Sequence, residues 1–370
     1  MRRLSGCVVV VAALLATACG SDKKIVGVVL PQTGVNKGYG ASLQAGIKLA
    51  LDDAIATKKP EGIEAQYRDS LSHPEYAAKE TGELFKAGAL IVIGGATTAE
   101  AMAMIPEAEK AQRVIISPSA SKPGLAESSN LFFRTVPSDD VEAEVAAYFL
   151  VTHKRAKTVL VLFQHGLYSE GLLPVFTAEV AKLGAKVTDK LPIGPTDWDK
   201  AISDSLTASK PDAIFVCAYG EETLAALGVI RAAKFAGSVC ATSAIDAGNV
   251  VKRAGDLAEG VFVPLVRLDL SSQQEPMKTF VSEFRAANKG AGPDLFAAYG
   301  YDAALAALYA LEGPPPKDPS ELLVRLMSLG EQRGVTGRLK FDKSGNITHH
   351  PRMHVIKGGA FEDCEPVPIS

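Results

Sequence analysis

The chain has 370 residues, of which 47% are hydrophobic and 22% are charged. It is therefore long enough for two domains with full cores, and its composition excludes a disordered chain. The formal net charge is −3, and no basic cluster in the sequence indicates a nucleic-acid partner.

The first 18 residues have the layout of a secretory signal peptide. Two arginines precede an apolar run at residues 7–15, and Ala-Thr-Ala stands directly before Cys19. The apolar run is too short to remain as a membrane-spanning helix, so we expect residues 1–18 to be removed and the protein to be exported. Small residues before a cysteine also resemble the bacterial lipobox, in which that cysteine is lipidated. We therefore predict a lipid anchor on Cys19, although the Ala-x-Ala pattern also fits ordinary signal peptidase.

Strands and helices then alternate regularly up to Phe133. Apolar runs of four to six residues bounded by turn residues are typical of buried parallel strands, and apolar residues at helical spacing indicate the helices between them. The predicted strands span residues 25–30, 64–68, 90–93 and 113–116, and the predicted helices span residues 41–56, 74–87 and 99–112. A strand, a helix and a strand in this order form a right-handed crossover, so the loops after the last two strands should emerge at one edge of the sheet.

Both of these loops carry hydroxyl groups. Residues 94–98 read Gly-Gly-Ala-Thr-Thr, and residues 117–121 read Ser-Pro-Ser-Ala-Ser. The carboxyl edge of an open α/β sheet is where ligands bind, and hydroxyl and free backbone N–H groups can hold a carboxylate without lysine or arginine. Each loop also has a purely structural interpretation, with Thr98 as the N-cap of the next helix and residues 117–121 as a solvated turn. Two such loops at neighbouring strand ends favour a small-molecule site.

The alternation stops at residues 134–140 and then starts again. The predicted helices of the second part span residues 141–152, 172–183, 198–208 and 221–235, with a short helix near Val250, and its strands span residues 158–163, 186–191, 213–218, 238–242 and 260–266. Helices at residues 276–288, 294–311 and 320–328 follow, with a proline-rich linker at residues 313–319 and short strands at the end. The predicted fold class is α/β, with two doubly wound parallel-sheet lobes.

The same pattern predicts where the lobes divide. The sheet pattern stops and restarts near residues 136–140, 264–268 and 341–347, so the chain should cross between lobes three times. The first lobe is expected to contain residues 19–137 plus 268–341, and the second lobe residues 138–267 plus 342–370. Three short crossovers form a hinge about which the lobes can close on a ligand.

Signatures of catalysis and of cofactors are missing from the sequence. It contains no G-x-S-x-G elbow, no Walker loop and no H-E-x-x-H motif. Gly38-Tyr39-Gly40 begins like a dinucleotide fingerprint, but Leu43 stands where that motif needs its third glycine. We therefore expect a protein that is not an enzyme and has no cofactor.

The histidines and cysteines likewise point to no special chemistry. His349, His350 and His354 lie close in sequence but are interrupted by a proline and have no neighbouring cysteine or paired acids, so we expect solvated turn histidines and no metal. Cys217 and Cys240 fall in successive apolar strands, where buried free thiols are common. We expect them to be core residues and not part of a disulfide framework.

The order of the motifs resembles the periplasmic binding proteins for branched-chain amino acids, which have the type I fold. The resemblance covers nearly the whole chain after the signal peptide. It implies a receptor that binds an amino acid or related amide and delivers it to an ABC permease of the inner membrane, and we expect a monomer. The segments that carry it are residues 25–34 (Ile-Val-Gly-Val-Val-Leu-Pro-Gln-Thr-Gly), 39–40 (Tyr-Gly), 93–98 (Ile-Gly-Gly-Ala-Thr-Thr), 117–121, 133–137 (Phe-Arg-Thr-Val-Pro), 299–303 (Tyr-Gly-Tyr-Asp-Ala) and 336–342 (Thr-Gly-Arg-Leu-Lys-Phe-Asp).

The resemblance also implies a set of ligand contacts. In relatives, the positions of Thr98 and of the loop at residues 119–121 hold the α-carboxylate and the ammonium of the ligand, and tyrosines form aromatic walls. Asp246 matches the acidic residue that faces the ammonium, with Asp in place of the longer Glu, although it also fits a helix N-cap. The tyrosines could equally be residues at the rim of the cleft with no role in binding. The implied ligand-binding residues are Tyr39, Thr98, Ser119, Ser121, Tyr168, Tyr219 and Asp246.

Two function classes fit these observations. The first is a solute receptor that serves a permease. The second is a lipoprotein of the same fold that regulates a cell-wall enzyme or acts as a ligand sensor without transport. Polar residues at Thr98, Ser121 and Asp246 in one cleft favour the receptor, because a pure interaction module has no need of them.

Overall fold

The computed structural model describes residues 23–194, 196–330 and 332–364. The predicted signal peptide and Cys19 lie outside these residues. Among the helices that the structure describes, none combines the length and the apolar character needed to cross a membrane.

The described chain alternates between strands and helices, as the sequence predicts. The helices are α1 Lys37–Thr57, α2 Pro74–Lys86, α3 Thr98–Ala111, α4 Asp139–Tyr148, α5 Leu167–Lys182, α6 Trp198–Ser209, α7 Gly220–Ala232, α8 Val250–Ala254, α9 Met277–Ala287, α10 Leu295–Ala310 and α11 Pro319–Met327. The strands are β1 Lys24–Leu30, β2 Ile63–Asp69, β3 Ile91–Gly94, β4 Val114–Ser117, β5 Phe132–Arg134, β6 Thr158–Phe163, β7 Lys186–Pro192, β8 Ala213–Cys217, β9 Ser238–Ala241, β10 Phe262–Leu265, β11 Arg352–Lys357 and β12 Ala360–Asp363.

The first sheet has five parallel strands in the order β2-β1-β3-β4-β5. Its central strands are buried because helices cover both faces, which explains their continuous apolar runs. Ile93 in β3 pairs with Val28 in β1 and with Ile116 in β4. Strands β3 and β4 therefore end side by side, and the two hydroxyl-rich loops emerge at the same edge, as predicted.

The second sheet has seven strands in the order β12-β11-β10-β9-β8-β6-β7. Strands β6 to β10 are parallel, whereas β11 and β12 add an antiparallel edge to the sheet. Such an edge is common on an otherwise parallel doubly wound sheet. The predicted α/β class with two parallel-sheet lobes is confirmed.

Several helix boundaries differ from the predicted ones. Helix α1 begins at Lys37 instead of residue 41, because Gly40 is not a turn residue: a β-carbon there would lie 2.0 Å from the carbonyl oxygen of Pro31. Helix α5 begins at Leu167 instead of residue 172. Helix α4 begins at Asp139 and gives way to a π-helical turn over Phe149–His153. Tyr39, Tyr168 and Asp139 consequently lie in the first turns of helices, where their positions are fixed.

Helices α1 and α10 touch through their backbones. A β-carbon on Gly46 would lie 1.8 Å from the carbonyl oxygen of Ala297, and one on Gly300 would lie 2.3 Å from that of Leu43. Only glycine permits so close a crossing. This contact sets the distance between the first turns of the two helices, which carry Tyr39 and Phe296.

The cysteines agree with the expectation for core residues. Cys217 and Cys240 are buried free thiols, and Cys364 lies at the end of the second sheet. Burial raises the pKa of the thiols of Cys217 and Cys240 well above the ordinary value, so they are unreactive core groups.

Candidate functional site

A narrow cavity lies where the carboxyl edge of the first sheet faces the loops of the second. Side chains nearly fill it, and the space open to a water-sized molecule is about 10 Å³. Six of the seven residues implied as ligand contacts line it, whereas Asp246 does not. The lining residues are Tyr39, Thr98, Ser119, Ser121, Val136, Tyr168, Tyr219, Ser243, Ala244 and Phe296.

Aromatic rings from both lobes form the side walls. The ring centroids of Tyr39 and Phe296 are 4.6 Å apart, and Tyr168 stacks on Tyr219 at 5.1 Å. Tyr39 also approaches Tyr219 across the cleft at 5.9 Å. Burial raises the pKa of the three tyrosines well above the ordinary value, so their hydroxyls are neutral. Phe296 was not predicted, because it stands in a helix that is apolar on every side.

The hydroxyl of Thr98 is available to a ligand. The N-cap of α3 is Thr97 and not Thr98: the Thr97 hydroxyl accepts from the backbone N–H of Glu100, while the Glu100 carboxylate accepts from the backbone N–H of Thr97. The structural interpretation of Thr98 as the cap was therefore wrong. Thr98 is the first helical residue, and its buried Oγ1 has no hydrogen-bond partner among the residues that the structure describes. A buried hydroxyl without a partner costs about 1–3 kcal/mol, which a bound ligand would recover.

The serine loop is locked to the neighbouring strand end. The Ser117 hydroxyl donates to the carbonyl of Gly95 at 2.9 Å and accepts from the N–H of Ala120 at 2.9 Å. The Ser119 hydroxyl donates to the carbonyl of Ala96 at 2.7 Å. Because a hydroxyl has one proton, the Ser119 oxygen can only accept a further hydrogen bond from the cleft. The loop is therefore buried and rigid, and residues 117–121 are not a solvated turn.

A buried arginine supports this loop from behind. Arg134 is fully buried, and its guanidinium donates to the carbonyl of Lys122 at 2.9 Å and to Oδ1 of Asn346 at 2.7 Å. Burial lowers its pKa, and the acids around it, above all Asp139, act in the opposite direction. Arg134 thus joins the serine loop to Asn346.

Asp139 is a buried acid that the sequence interpretation missed. Its backbone N–H donates to the carbonyl of Ser121 at 2.8 Å, so it stands directly behind the loop. Neither carboxylate oxygen has a hydrogen-bond partner of good geometry in the described part of the chain. Burial and then the charge of Glu142 raise its pKa well above the ordinary value, opposed by the Ser121 hydroxyl and Arg134. A cation bound in the cleft would compensate this carboxylate.

Glu142, one turn further along α4, has a different role. Its carboxylate accepts from both the backbone N–H and the hydroxyl of Ser243 at 2.7 Å each. Burial raises its pKa to about 7, and the two hydrogen bonds oppose this shift. Glu142 therefore fixes the start of the 3₁₀ helix Ser243–Asn249, which supplies Ser243 and Ala244 to the cavity wall.

Asp246, from the same 3₁₀ helix, points elsewhere. Its Oδ2 accepts from the backbone N–H of Leu295, the first residue of α10, at 2.7 Å. Burial and then the charge of Asp294 raise its pKa to about 7. It lines a separate, larger cavity beside residues 265–271. The structure therefore does not bring Asp246 into the cavity with the other six residues, because its carboxylate is held by the N-terminus of α10.

The chain matches, over residues 25–358, the family model described as periplasmic binding protein. It belongs to this family. A curated relative, the leucine-, isoleucine-, valine-, threonine- and alanine-binding protein of Pseudomonas aeruginosa, is 24% identical over 91% of this chain and 90% of the relative.

Two solved structures share the fold of this periplasmic binding protein. The branched-chain amino acid transporter substrate-binding protein LivJ of Streptococcus pneumoniae, in complex with isoleucine, has a TM-score of 0.85 and 23% identity, covering 93% of this chain and 99% of that one. A solute-binding protein of an ABC transporter from R. palustris, in complex with benzoate, has a TM-score of 0.82 and 20% identity, covering 92% and 95%. These matches confirm the type I fold.

Family membership settles two broader predictions. The family and the relatives named above are binding proteins and not enzymes, which confirms that class. A periplasmic binding protein is an exported protein that works outside the cytoplasm, in agreement with the predicted export.

Of the three histidines of this periplasmic binding protein that were expected to be solvated, His350 is exposed in a loop as predicted, whereas His349 and His354 are not. His354 is buried in β11, where Nε2 lies 3.0 Å from the Asp363 carboxylate, and Nε2 of His349 lies 2.8 Å from the carbonyl oxygen of Arg338. Burial lowers the pKa of both rings. Within the described ranges, no group of three or more metal-ligating side chains is arranged to hold an ion.

Proposed function

We propose that this periplasmic binding protein binds an amino acid, branched-chain or similar, between its lobes and delivers it to an ABC permease of the inner membrane. The observation that carries the proposal is a pair of buried polar groups without hydrogen-bond partners at one cleft, Thr98 in its wall and Asp139 behind the serine loop. Thr98 Oγ1 offers a hydroxyl donor, and Asp139 offers a carboxylate. The carboxylate of an amino-acid zwitterion can accept from Thr98, and its ammonium can pair with Asp139.

The two ends of the ligand find different surroundings in this arrangement. The carboxylate lies against Thr98 and the first N–H groups of α3, where the helix terminus carries partial positive charge. The ammonium donates to the Ser119 and Ser121 hydroxyl oxygens and is neutralised by Asp139 behind them. The side chain packs between the aromatic walls, which favours an apolar amino acid.

The ligands of two relatives support this assignment. The Pseudomonas aeruginosa relative is named for binding leucine, isoleucine, valine, threonine and alanine, and the Streptococcus pneumoniae structure contains isoleucine. A non-transport lipoprotein of the same fold is the weaker alternative, because it has no use for unpartnered polar groups inside a cleft.

An aromatic carboxylate is the second candidate ligand. None of the ten residues that line the cavity is charged, and four of them are aromatic. The R. palustris neighbour contains benzoate. A ligand without an ammonium leaves Asp139 protonated behind the loop, so the two candidates predict opposite roles for that acid.

Ligand-driven closure follows from the proposed lobes. We propose that residues 19–137 plus 268–341 and residues 138–267 plus 342–370 move as two bodies about the three crossovers, with an open empty form and a closed bound form. The mature protein should be screened by thermal shift against amino acids and aromatic carboxylates, and the strongest hit measured by calorimetry and small-angle scattering. A tight ligand should reduce the radius of gyration. Tight binding without compaction would argue against a hinge, and no binding by any amino acid would remove the proposed ligand class.

We further propose that lipidated Cys19 anchors the protein to the membrane. The anchor precedes β1 by a few residues, so it acts independently of the cleft. Cys19→Ala should release the protein from the membrane fraction and leave ligand affinity unchanged. Wild-type protein recovered wholly in the soluble fraction after export would contradict the lipobox.

A further inference from the structure

A hydrogen bond joins the two lobes away from the ligand cavity. Asp246 follows β9 of the second sheet, whereas Leu295 begins α10, which packs against α1 beside the first sheet. The Asp246 carboxylate accepts from the Leu295 N–H at 2.7 Å. The 3₁₀ helix that carries Asp246 also contacts α1 and α10. This contact exists only while the lobes are together.

The contact completes a helix cap. The first N–H groups of a helix have no partner within the helix. At the start of α10, Asp294 supplies one partner from its own side: its Oδ1 accepts from the N–H of Ala297 at 2.8 Å, and its Oδ2 accepts from the Ser42 hydroxyl at 2.6 Å. The Leu295 N–H receives its partner from the other lobe. The N-terminus of α10 is therefore capped by one residue of the first lobe, Asp294, and one residue of the second, Asp246.

We propose that Asp246 is a closure latch: by capping α10 across the lobe interface it stabilises the closed form without touching the ligand. The proposal rests on the lobe motion described under the proposed function. Asp246 is then a positioning residue, and it should act equally on every ligand that closes the cleft. Asparagine keeps an acceptor oxygen and should keep the latch, whereas alanine should remove it.

Charge at the same terminus makes the latch sensitive to pH. Closing brings Asp246 towards Asp294, and burial and Asp294 raise the pKa of Asp246 to about 7, while Lys252 acts in the opposite direction. A carboxyl whose pKa rises on closing takes up a proton as the lobes close. The closed form therefore becomes more populated as the pH falls from about 7 towards the ordinary carboxyl pKa. The other ionisable groups that face Asp246 or the adjoining cavity are Tyr299, Arg267, Asp269, His354 and Asp363.

The test compares Asp246→Ala and Asp246→Asn with wild type. Closure of the ligand-free protein is measured by single-molecule fluorescence energy transfer between dyes placed at the exposed positions Lys79 and Lys190, one on each lobe. Affinity is measured by calorimetry for L-isoleucine and for its 2-hydroxy analogue, which lacks the ammonium. Asp256→Ala, the loss of an exposed acid in the same lobe, is the matched control.

At pH 6, where Asp246 is protonated in the closed form, the latch predicts that Asp246→Ala lowers the ligand-free closed fraction and weakens both ligands by the same factor, about tenfold for one hydrogen bond. Asp246→Asn carries no charge at any pH, so it should keep the latch, close at least as readily as wild type at pH 8 and lose the rise in closure between pH 8 and pH 5. An unchanged closed fraction in Asp246→Ala would overturn the proposal. So would Asp246→Asn that loses L-isoleucine but not the hydroxy analogue, since that result places Asp246 at the ammonium. If neither ligand binds, the proposed ligand class fails, and the fluorescence measurement still decides the latch.

Discussion

Replacement of Arg134 by methionine is expected to lower the free energy of unfolding by about 3–5 kcal/mol, the range for truncation of a buried charged network. The side chain is fully buried, and its donors serve the carbonyl of Lys122 and the amide oxygen of Asn346. Methionine fills similar space but leaves these acceptors without a donor. Urea unfolding followed by circular dichroism measures the loss.

Arg285→Met is the matched control, because Arg285 is exposed in the last turn of α9. It should change the free energy of unfolding by less than about 0.5 kcal/mol. Folded Arg134→Met should also bind ligand more weakly, since the loop with Ser119 and Ser121 loses its support. Equal stability of Arg134→Met and wild type would mean that the guanidinium is not needed to hold the loop.

Substitution of Asp139 by asparagine is expected to weaken amino-acid binding by about 2–5 kcal/mol, the range for loss of one member of a buried charge pair. In the empty cleft the raised pKa of Asp139 favours the protonated acid, which asparagine resembles in shape, so the fold should be kept. Calorimetry with the amino acid that gives the largest thermal shift measures the effect.

Two further variants make this result specific. Asp140→Asn makes the same chemical change one residue further along α4, where the Asp140 carboxylate accepts from the Ser138 hydroxyl, and should leave the affinity unchanged. Thr98→Val removes one neutral donor and should cost about 1–3 kcal/mol. If Asp139→Asn binds an aromatic carboxylate as well as wild type does and no amino acid binds, the ligand has no ammonium.

The fold was predictable because buried parallel strands leave a strong pattern. Strand β6 has the predicted bounds at both ends, Thr158–Phe163, since it is apolar between two turns. Helix starts were less predictable where glycine has a packing role. Gly38 and Gly40 read as a turn, but they lie inside α1, and Gly40 is there because Pro31 is too close for a side chain.

The candidate site was predictable only on its hydroxyl and aromatic side. Thr98, Ser119 and Ser121 follow the ends of neighbouring strands, where the topology brings them together, whereas the three tyrosines were implied by the family resemblance. The acid was misplaced, because a carboxylate after β9 can turn either towards the cleft or towards α10, and local sequence does not decide this. Asp139 was hidden in the segment interpreted only as a crossover. A pair of acids at residues 139 and 140, five residues after Arg134, was the available signal.

The residues that hold α1 against α10 are different from the residues of these helices that line the cleft. Gly46 and Gly300 set the spacing of the helices without any side chain that also faces the cleft. Tyr39 and Phe296 stand at the ends of the same helices but do not hold them together. Tyr39 is half-buried, so changes of its size or polarity should alter ligand preference while the helix frame stays the same. Phe296 is buried in the core, so there only rings of similar size should leave the fold intact.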